Sequence, residues 1–441
     1  MNDYADVLAS VDYRIEPSAQ DALNTYLGAH ADEKVVHDQR WDVSDPQIFA
    51  SEACHTIFRE MRATAPVNKV TGTPHGDYWN ITTLKAIQHV EALPKVFTSD
   101  YRIGGMVIQD PSEQAKAEGR GASFIAMDPP EHTKRRRTVA PAFTPAEMVR
   151  LSGLVRERTV ALLESLPVGE EFDWATKVSV ELTTGMLATI FDFPWERRHV
   201  LPFWSDWMSD LQLGATPELE RIRRDVMMEM AACFHKLWDQ RLNAPPAPDL
   251  LSRMIHSEDM PEMDAMEFMA NMSLLIVGGN DTTRNTMSGI VEALDRYPEE
   301  RAKLEADPSL IPNAVQECIR YVTPVAHMRR TATEDYELEG QLIRKGEKVI
   351  LWYKSGNRDE SVFDEPDRLI VDCENARRHV AFGYGVHRCV GARLAELQLR
   401  VLIEEMIARG IRPRVTGQVE RLSNVFINGF QRVDVTLDRP S

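Results

Sequence analysis

Phe382-Gly383-Tyr384-Gly385-Val386-His387-Arg388-Cys389-Val390-Gly391 is the stretch on which the reading of this chain turns. It sets one cysteine between glycines, just ahead of a helical pattern. That pattern runs from Ala392 through Leu394, Leu397, Val401 and Leu402 to a stop at Gly410. A thiolate at a helix N-terminus is stabilised by the helix dipole and by backbone N–H groups without intrahelical partners. Gly385 permits a sharp turn, and Gly391 lets the backbone approach a flat ligand closely. A sulfur so placed can serve as the axial ligand of a haem iron and push electron density toward bound oxygen. Taken alone, a single cysteine also reads as a small buried hydrophobe, so the rest of the chain has to agree.

Composition narrows the field. The chain has 441 residues, of which 43% are hydrophobic, enough for a sizeable core and too many for a disordered chain. No apolar run approaches the roughly 20 residues that a membrane-spanning helix needs. The polar, acidic stretch from Met1 to about Asp38 carries neither a secretory signal nor an anchor, so a cytoplasmic protein without a membrane anchor is expected. Cys54, Cys233, Cys318, Cys373 and Cys389 are scattered, odd in number and free of Cys-x-x-Cys spacing, which argues against a disulfide framework or a zinc site. The net charge of −17 makes nucleic acid a poor partner, because phosphate repulsion dominates encounter.

Helical periodicity dominates. Met148–Leu166, Val178–Ile190, Leu219–Arg241, Met266–Tyr297, Ile311–Tyr321 and Ala392–Ala408 suit amphipathic or buried helices. Strand-like pieces appear at Asp77–Ile81, Tyr336–Leu338, Lys348–Tyr353 and Arg432–Leu437. Asn357–Arg378 is polar and irregular, and reads as a long ordered loop before the cysteine. The expectation is a mainly α domain with a small β-rich lobe over residues 41–441, after an N-terminal extension, 1–40.

The longest helical segment contains Gly278-Gly279-Asn280-Asp281-Thr282-Thr283. Two mid-helix glycines cost roughly 1 kcal/mol each relative to alanine and so want a reason. Residues three and four apart share a helix face, so Gly278, Asp281 and Thr282 can border one opened groove. An acid beside a hydroxyl there can pass protons during oxygen activation. The competing reading is a helix kinked for packing, with Thr282 bonded back to a carbonyl.

Together, Phe382, Gly385, His387, Cys389 and Gly391 match Phe-x-x-Gly-x-x-x-Cys-x-Gly, and the chain resembles the cytochrome P-450 superfamily from about Trp41 onward. The resemblance implies the fold of that superfamily and haem b with Cys389 as its iron ligand. It makes Asp281 and Thr282 the proton-handling pair, with Gly278 leaving room for oxygen. Glu317-Cys318-Ile319-Arg320 resembles its Glu-x-x-Arg pair, completed by Arg368 as the third member of a structural triad. His132, Arg136, Arg329 and His387 are implied contacts of the haem propionates. Lys134, Arg135 and Arg137, with Arg388 and Arg393, form a basic island that suits an acidic electron donor.

The likeness is closer to one bacterial branch, the terminal alkane and fatty-acid hydroxylases. It is carried by Gly278–Asn285, His327–Ala332 and Asn375–His379. Superfamily correspondence puts Leu274, Val277, Gly278, Val325, Ala326, Phe426 and Ile427 around the substrate, with Ile103, Met106 and Val107 closing the pocket. None is charged, which favours a hydrophobic ligand. The chain holds no flavin or iron–sulfur segment, so electrons come from a ferredoxin and an NAD(P)H-dependent ferredoxin reductase. The expected enzyme is a monomeric monooxygenase using O2 on medium-chain n-alkanes or fatty acids. The rivals are a hydroxylase of cyclic terpenes or aromatics, a non-enzymatic haem carrier or gas sensor, and a haem-free helical protein.

Overall fold

The computed structural model describes residues 40–111, 116–117, 122–209, 217–259 and 263–438, so the expected extension, 1–40, lies outside the described residues apart from Arg40. Helices are α1 (Cys54–Thr64), α2 (Leu84–Glu91), α3 (Glu131–Val139), α4 (Pro145–Ser165), α5 (Glu181–Phe191) and α6 (Val200–Ser209). They continue with α7 (Pro217–Leu242), α8 (Ala265–Arg296), α9 (Pro298–Ala306), α10 (Ile311–Val322) and α11 (Ala392–Ala408). Asp264 caps α8 by accepting from Glu267 N–H, which fixes its start. Around α8 pack α5, α6, α10 and α11, burying Ile276, Met287, Ile290 and Val291.

The β lobe is smaller. Its largest sheet orders β1 (Val67–Val70), β2 (Tyr78–Ile81), β8 (Lys348–Leu351), β5 (Met328–Ala332) and β3 (Phe97–Thr98). A second joins β4 (Glu171–Asp173), β10 (Phe430–Asp438) and β9 (Arg412–Arg421), and a third is the hairpin of β6 (Tyr336–Leu338) and β7 (Gln341–Ile343). In the first, β5 lies antiparallel to β8 with Arg329 opposite Ile350 and Arg330 opposite Val349. Successive side chains on a strand point to opposite faces, so these two arginines must diverge. The mainly helical architecture with a small β lobe is the expected one.

Candidate active site

The cysteine loop is closed by its own backbone: Cys389 N–H donates to Phe382 O at 2.8 Å and Arg388 N–H to Gly385 O at 3.2 Å. Gly391 then starts α11, so the sulfur sits at a helix N-terminus. Cys389 is exposed, although protein atoms crowd around its thiol. That enclosure pushes the thiol up, while backbone donors at Gly391 and Ala392 and the charges of Arg136 and Arg388 pull the other way. A metal ion replaces the proton on such a group outright. Phe382 is half-buried, with the Arg388 guanidinium 5.9 Å from its ring centre.

Cationic and donor groups converge beside this loop. The rings of His132 and His387 stand 4.5 Å apart at 61°. His132 is buried with neither nitrogen partnered, and His387 keeps Nδ1 unpartnered while Nε2 meets Ser99 Oγ at 3.3 Å. Burial, then Arg136 and Arg330, push His132 down to about 4, and burial followed by Arg330, His132 and Arg136 pushes His387 to about 2. Arg136 donates to Arg388 O at 2.6 Å. Orphaned buried nitrogens are costly unless a ligand takes them. These donors fit the carboxylates of a haem, and the open sulfur fits its iron.

One expected contact, Arg329, is engaged with an acid, its Nε left without a partner. Arg329 turns to the opposite face of β5, where it pairs with Asp110 at 2.6 Å beneath Gly104. Arg330, like Arg136, is near enough for its charge to reach both His132 and His387. The cause is strand alternation, and reading Met328–Ala332 as a strand is the signal that finds Arg330. Arg329 still reaches the loop above it, through its N–H to Met106 O at 2.8 Å.

On α8 the two glycines have different reasons. A Cβ at Gly279 would lie 2.7 Å from Leu187 Cδ2 of α5, so that side chain would have to shift to admit it. A Cβ at Gly278 would meet nothing within 4 Å, and this residue is exposed although Ile276 and Asn280 are buried. Thr282 Oγ1 donates to Gly278 O at 2.7 Å, so the back-bonded conformation is present on the open face itself. Asp281 does not border that face. It is fully buried toward α6, accepting from Ser205 Oγ at 2.8 Å and pairing with Arg284 at 3.1 Å, and its Oδ2 has no partner. Arg284 is paired in turn with Asp206.

The Glu317–Arg320 pair is buried and bidentate, with both N···O distances 2.7 Å. Arg320 also donates to Asn357 O, Pro366 O and Arg368 O, each at 2.8 Å. Arg368 therefore joins through its carbonyl, whereas its guanidinium lies at the surface with Glu299 and Glu365. A triad of side chains including Arg368 is not formed. Carbonyl dipoles satisfy Arg320 without desolvating the Arg368 guanidinium.

The expected basic island changes for a similar reason. Arg135 is buried and clamps Glu267 and Asp259 O, so it holds α3 to the start of α8 rather than facing a partner. Arg137 pairs with Asp259 at 3.2 Å, Lys134 is half-buried, and Arg388 and Arg393 are exposed.

Three of the predicted pocket segments are tied by backbone. Val325 bridges Ile427, Ala326 N–H donates to Phe426 O at 2.8 Å, and Met106 is held by Arg329. Leu274, Val277, Val325, Met106 and Val107 are half-buried, Ile103 is exposed, and Ala326, Phe426 and Ile427 are buried. Among the described residues no helix is long and apolar enough to cross a membrane.

The family model described as Cytochrome P-450 matches residues 168–409. Linalool 8-monooxygenase of Pseudomonas putida is 35% identical over 90% of this chain and 99% of its own. Steroid C26-monooxygenase of Rhodococcus jostii is 30% identical over 90% of this chain and 84% of its own. Among solved structures, cytochrome P-450-153 from Novosphingobium aromaticivorans is 57% identical with a TM-score of 0.85, covering 90% of this chain and all (100%) of that one. CYP153D17 from a Sphingomonas species is 54% identical with a TM-score of 0.87, covering 91% and 100%.

Proposed function

The chain belongs to the cytochrome P-450 family and is a haem-thiolate monooxygenase, and on that premise we propose that it hydroxylates the terminal carbon of medium-chain n-alkanes or fatty acids. The haem supplies dioxygen activation and insertion of one oxygen atom into a C–H bond. Cys389 is the residue that ligates iron. Two backbone N–H groups and the charges of Arg136 and Arg388 oppose the burial that pushes its thiol up, and iron would replace the proton. His132, His387 and Arg136 take the propionates, with the charge of Arg330 beside them.

Protons reach the open face of α8 through this chain's own hydroxyl and acid. Thr282 Oγ1, parked on Gly278 O, presents the final donor. Asp281 supplies it from Oδ2, the oxygen left unpartnered beside the Ser205 and Arg284 contacts. An acid turned away from the accessible side delivers protons only after reorienting, so Arg284 and Ser205 govern the supply.

The observation carrying the substrate class is the uncharged lining. Leu274, Val277, Val325, Phe426, Met106 and Val107 offer apolar surface, while nearby Arg329 is neutralised by Asp110. Such walls select by shape and exclude water, so the position of the chain end decides which carbon is oxidised. The branch-specific stretches 278–285, 327–332 and 375–379 support the same class, as does the likeness above half identity to the two 153-type structures. Terpene hydroxylation is the second reading, favoured by the relative named for linalool. Electrons come from a ferredoxin and its NAD(P)H-dependent reductase, docking near Lys134, Arg388 and Arg393, with residues 41–441 acting as one monomeric catalytic domain.

Titration of the ferric holoenzyme with n-alkanes, fatty acids, terpenes and aromatics tests the substrate class through the spin state of the iron. Medium-chain n-alkanes or fatty acids are expected to drive the largest shift toward high spin. A shift produced only by terpenes or aromatics would move the assignment to that class.

A further inference from the structure

Glu91, the last residue of α2, is buried against the cysteine loop although Cys389 lies far along the sequence. Its carboxylate gathers three donors. Tyr384 N–H reaches Oε2 at 2.8 Å, Arg330 Nη2 reaches Oε1 at 3.0 Å, and the Tyr353 hydroxyl also donates to Oε1. The main chain of the same residue presses on the loop: a Cβ at Gly385 would lie 2.6 Å from Glu91 O. Gly383 is equally confined, since a Cβ there would lie 3.2 Å from the Tyr353 hydroxyl oxygen and 3.6 Å from Glu91 Oε1. Both glycines have positive φ, +69° and +64°, so the loop is bent around this one acidic residue.

Packing alone does not call for a carboxylate. Burying one is expensive unless its oxygens are saturated and its charge is matched. Here a single carboxylate joins the backbone that leads into Cys389 to the buried Arg330 guanidinium, whose charge, with that of Arg136, reaches His132 and His387. We propose that Glu91 is a positioning residue of the haem–thiolate centre. It fixes the Cys389 loop and the Arg330 guanidinium relative to each other, and thereby sets both the durability of thiolate ligation and the net charge at the haem edge. The proposal rests on reading Cys389 as the iron ligand.

The test uses purified holoenzyme and the variants Glu91→Gln and Tyr353→Phe, with Glu300→Gln as a control. Glu300 is also a buried carboxylate accepting a backbone N–H, from Val371 at 2.9 Å, but it lies outside this cluster. Glu91→Gln keeps an acceptor for Tyr384 N–H and removes the counter-charge of Arg330. Three results are expected. The ferric–ferrous midpoint potential moves positive, because an uncompensated cation favours the reduced metal. Part of the ferrous–CO complex loses its thiolate-type spectrum. Haem transfer to a scavenging apoprotein accelerates roughly tenfold, the scale of losing a charge-assisted hydrogen bond in a buried network.

Glu300→Gln is expected to lower the unfolding temperature while leaving the potential and the ferrous–CO spectrum unchanged. A wild-type potential and spectrum in Glu91→Gln would overturn the proposal. Should that variant fail to fold, Tyr353→Phe decides: it keeps both charges, removes one donor and is expected to raise the non-thiolate ferrous–CO fraction. An unaltered spectrum there overturns the proposal as well. A wild-type enzyme lacking the thiolate-type spectrum would instead refute Cys389 ligation, and this inference with it.

Discussion

Thr282 Oγ1 donates to the carbonyl of Gly278, one turn back on α8, at 2.7 Å, on the accessible side of an otherwise buried helix segment. The acceptor is already bonded within the helix, so this contact is readily exchanged for another acceptor. Thr282→Ala should therefore fold normally, losing no more than about 1 kcal/mol. Its effect should fall on coupling, with product formed per NAD(P)H dropping roughly tenfold while hydrogen peroxide rises. Parallel assays of product, peroxide and cofactor consumption decide it. Unchanged product yield removes Thr282 from proton delivery.

Arg329 and Arg330 make a paired test of the haem edge. Arg330→Ala removes the guanidinium beside His132 and His387 and leaves Glu91 buried without its cation. Haem loss from that variant should accelerate tenfold or more, in line with a broken buried charge pair costing roughly 3–5 kcal/mol. Arg329→Ala frees Asp110 and loosens the loop carrying Met106, so it should weaken substrate binding and leave haem retention near that of wild type. Haem-transfer rates and ligand titrations on both variants separate the roles; a reversed pattern restores Arg329 to the propionates.

The buried Glu317–Arg320 pair predicts an asymmetry in stability. Arg320→Ala leaves a buried carboxylate without its cation and two carbonyls without a donor, Pro366 O keeping Arg358 Nη1 at 2.9 Å, and should cost roughly 3–5 kcal/mol. Arg368→Ala removes a surface guanidinium whose ion pairs face solvent, and should leave stability nearly unchanged. Urea unfolding of the holoenzyme measures both. Equal losses would mean that the Arg368 side chain matters in a way its surface position does not suggest.

Local patterns in the chain were legible, and pairings across it were not. The periodicity over Met266–Tyr297 anticipates α8, Ala265–Arg296, within a residue at each end, because a long buried helix writes its pattern continuously. The Cys389 loop carries its own turn residues and helix start, so its form is local as well. Arg330 is not signalled by the resemblance, because its place near the two histidines follows from the two-residue alternation of β5. Arg135 and Arg368 mislead in opposite directions: burial of a charge depends on whether an acid such as Glu267 arrives from a distant helix. Glu91 gives no sequence signal at all, since its value arises only when α2, β5 and the cysteine loop meet.

His327 gives the fold a defined acid limit. It is fully buried, with Nδ1 bonded to Val425 O at 2.9 Å and Nε2 accepting from Ile108 N–H at 3.1 Å. An Nε2 that accepts cannot carry a proton, so this environment requires the neutral ring. Burial is the main force pushing its pKa down to about 4, against an ordinary value of 6.5. The unfolded chain therefore binds the proton first as pH falls. Stability from this residue is complete above about pH 6.5 and is lost toward pH 4, amounting to about 2 kcal/mol between pH 7 and pH 5. Glutamine offers the same donor and acceptor without titrating. His327→Gln should flatten that part of the stability–pH curve, measured by urea unfolding of wild type and variant at both pH values. Parallel curves would show that the wild-type ring is already protonated in the folded state, or that its charge is tolerated there.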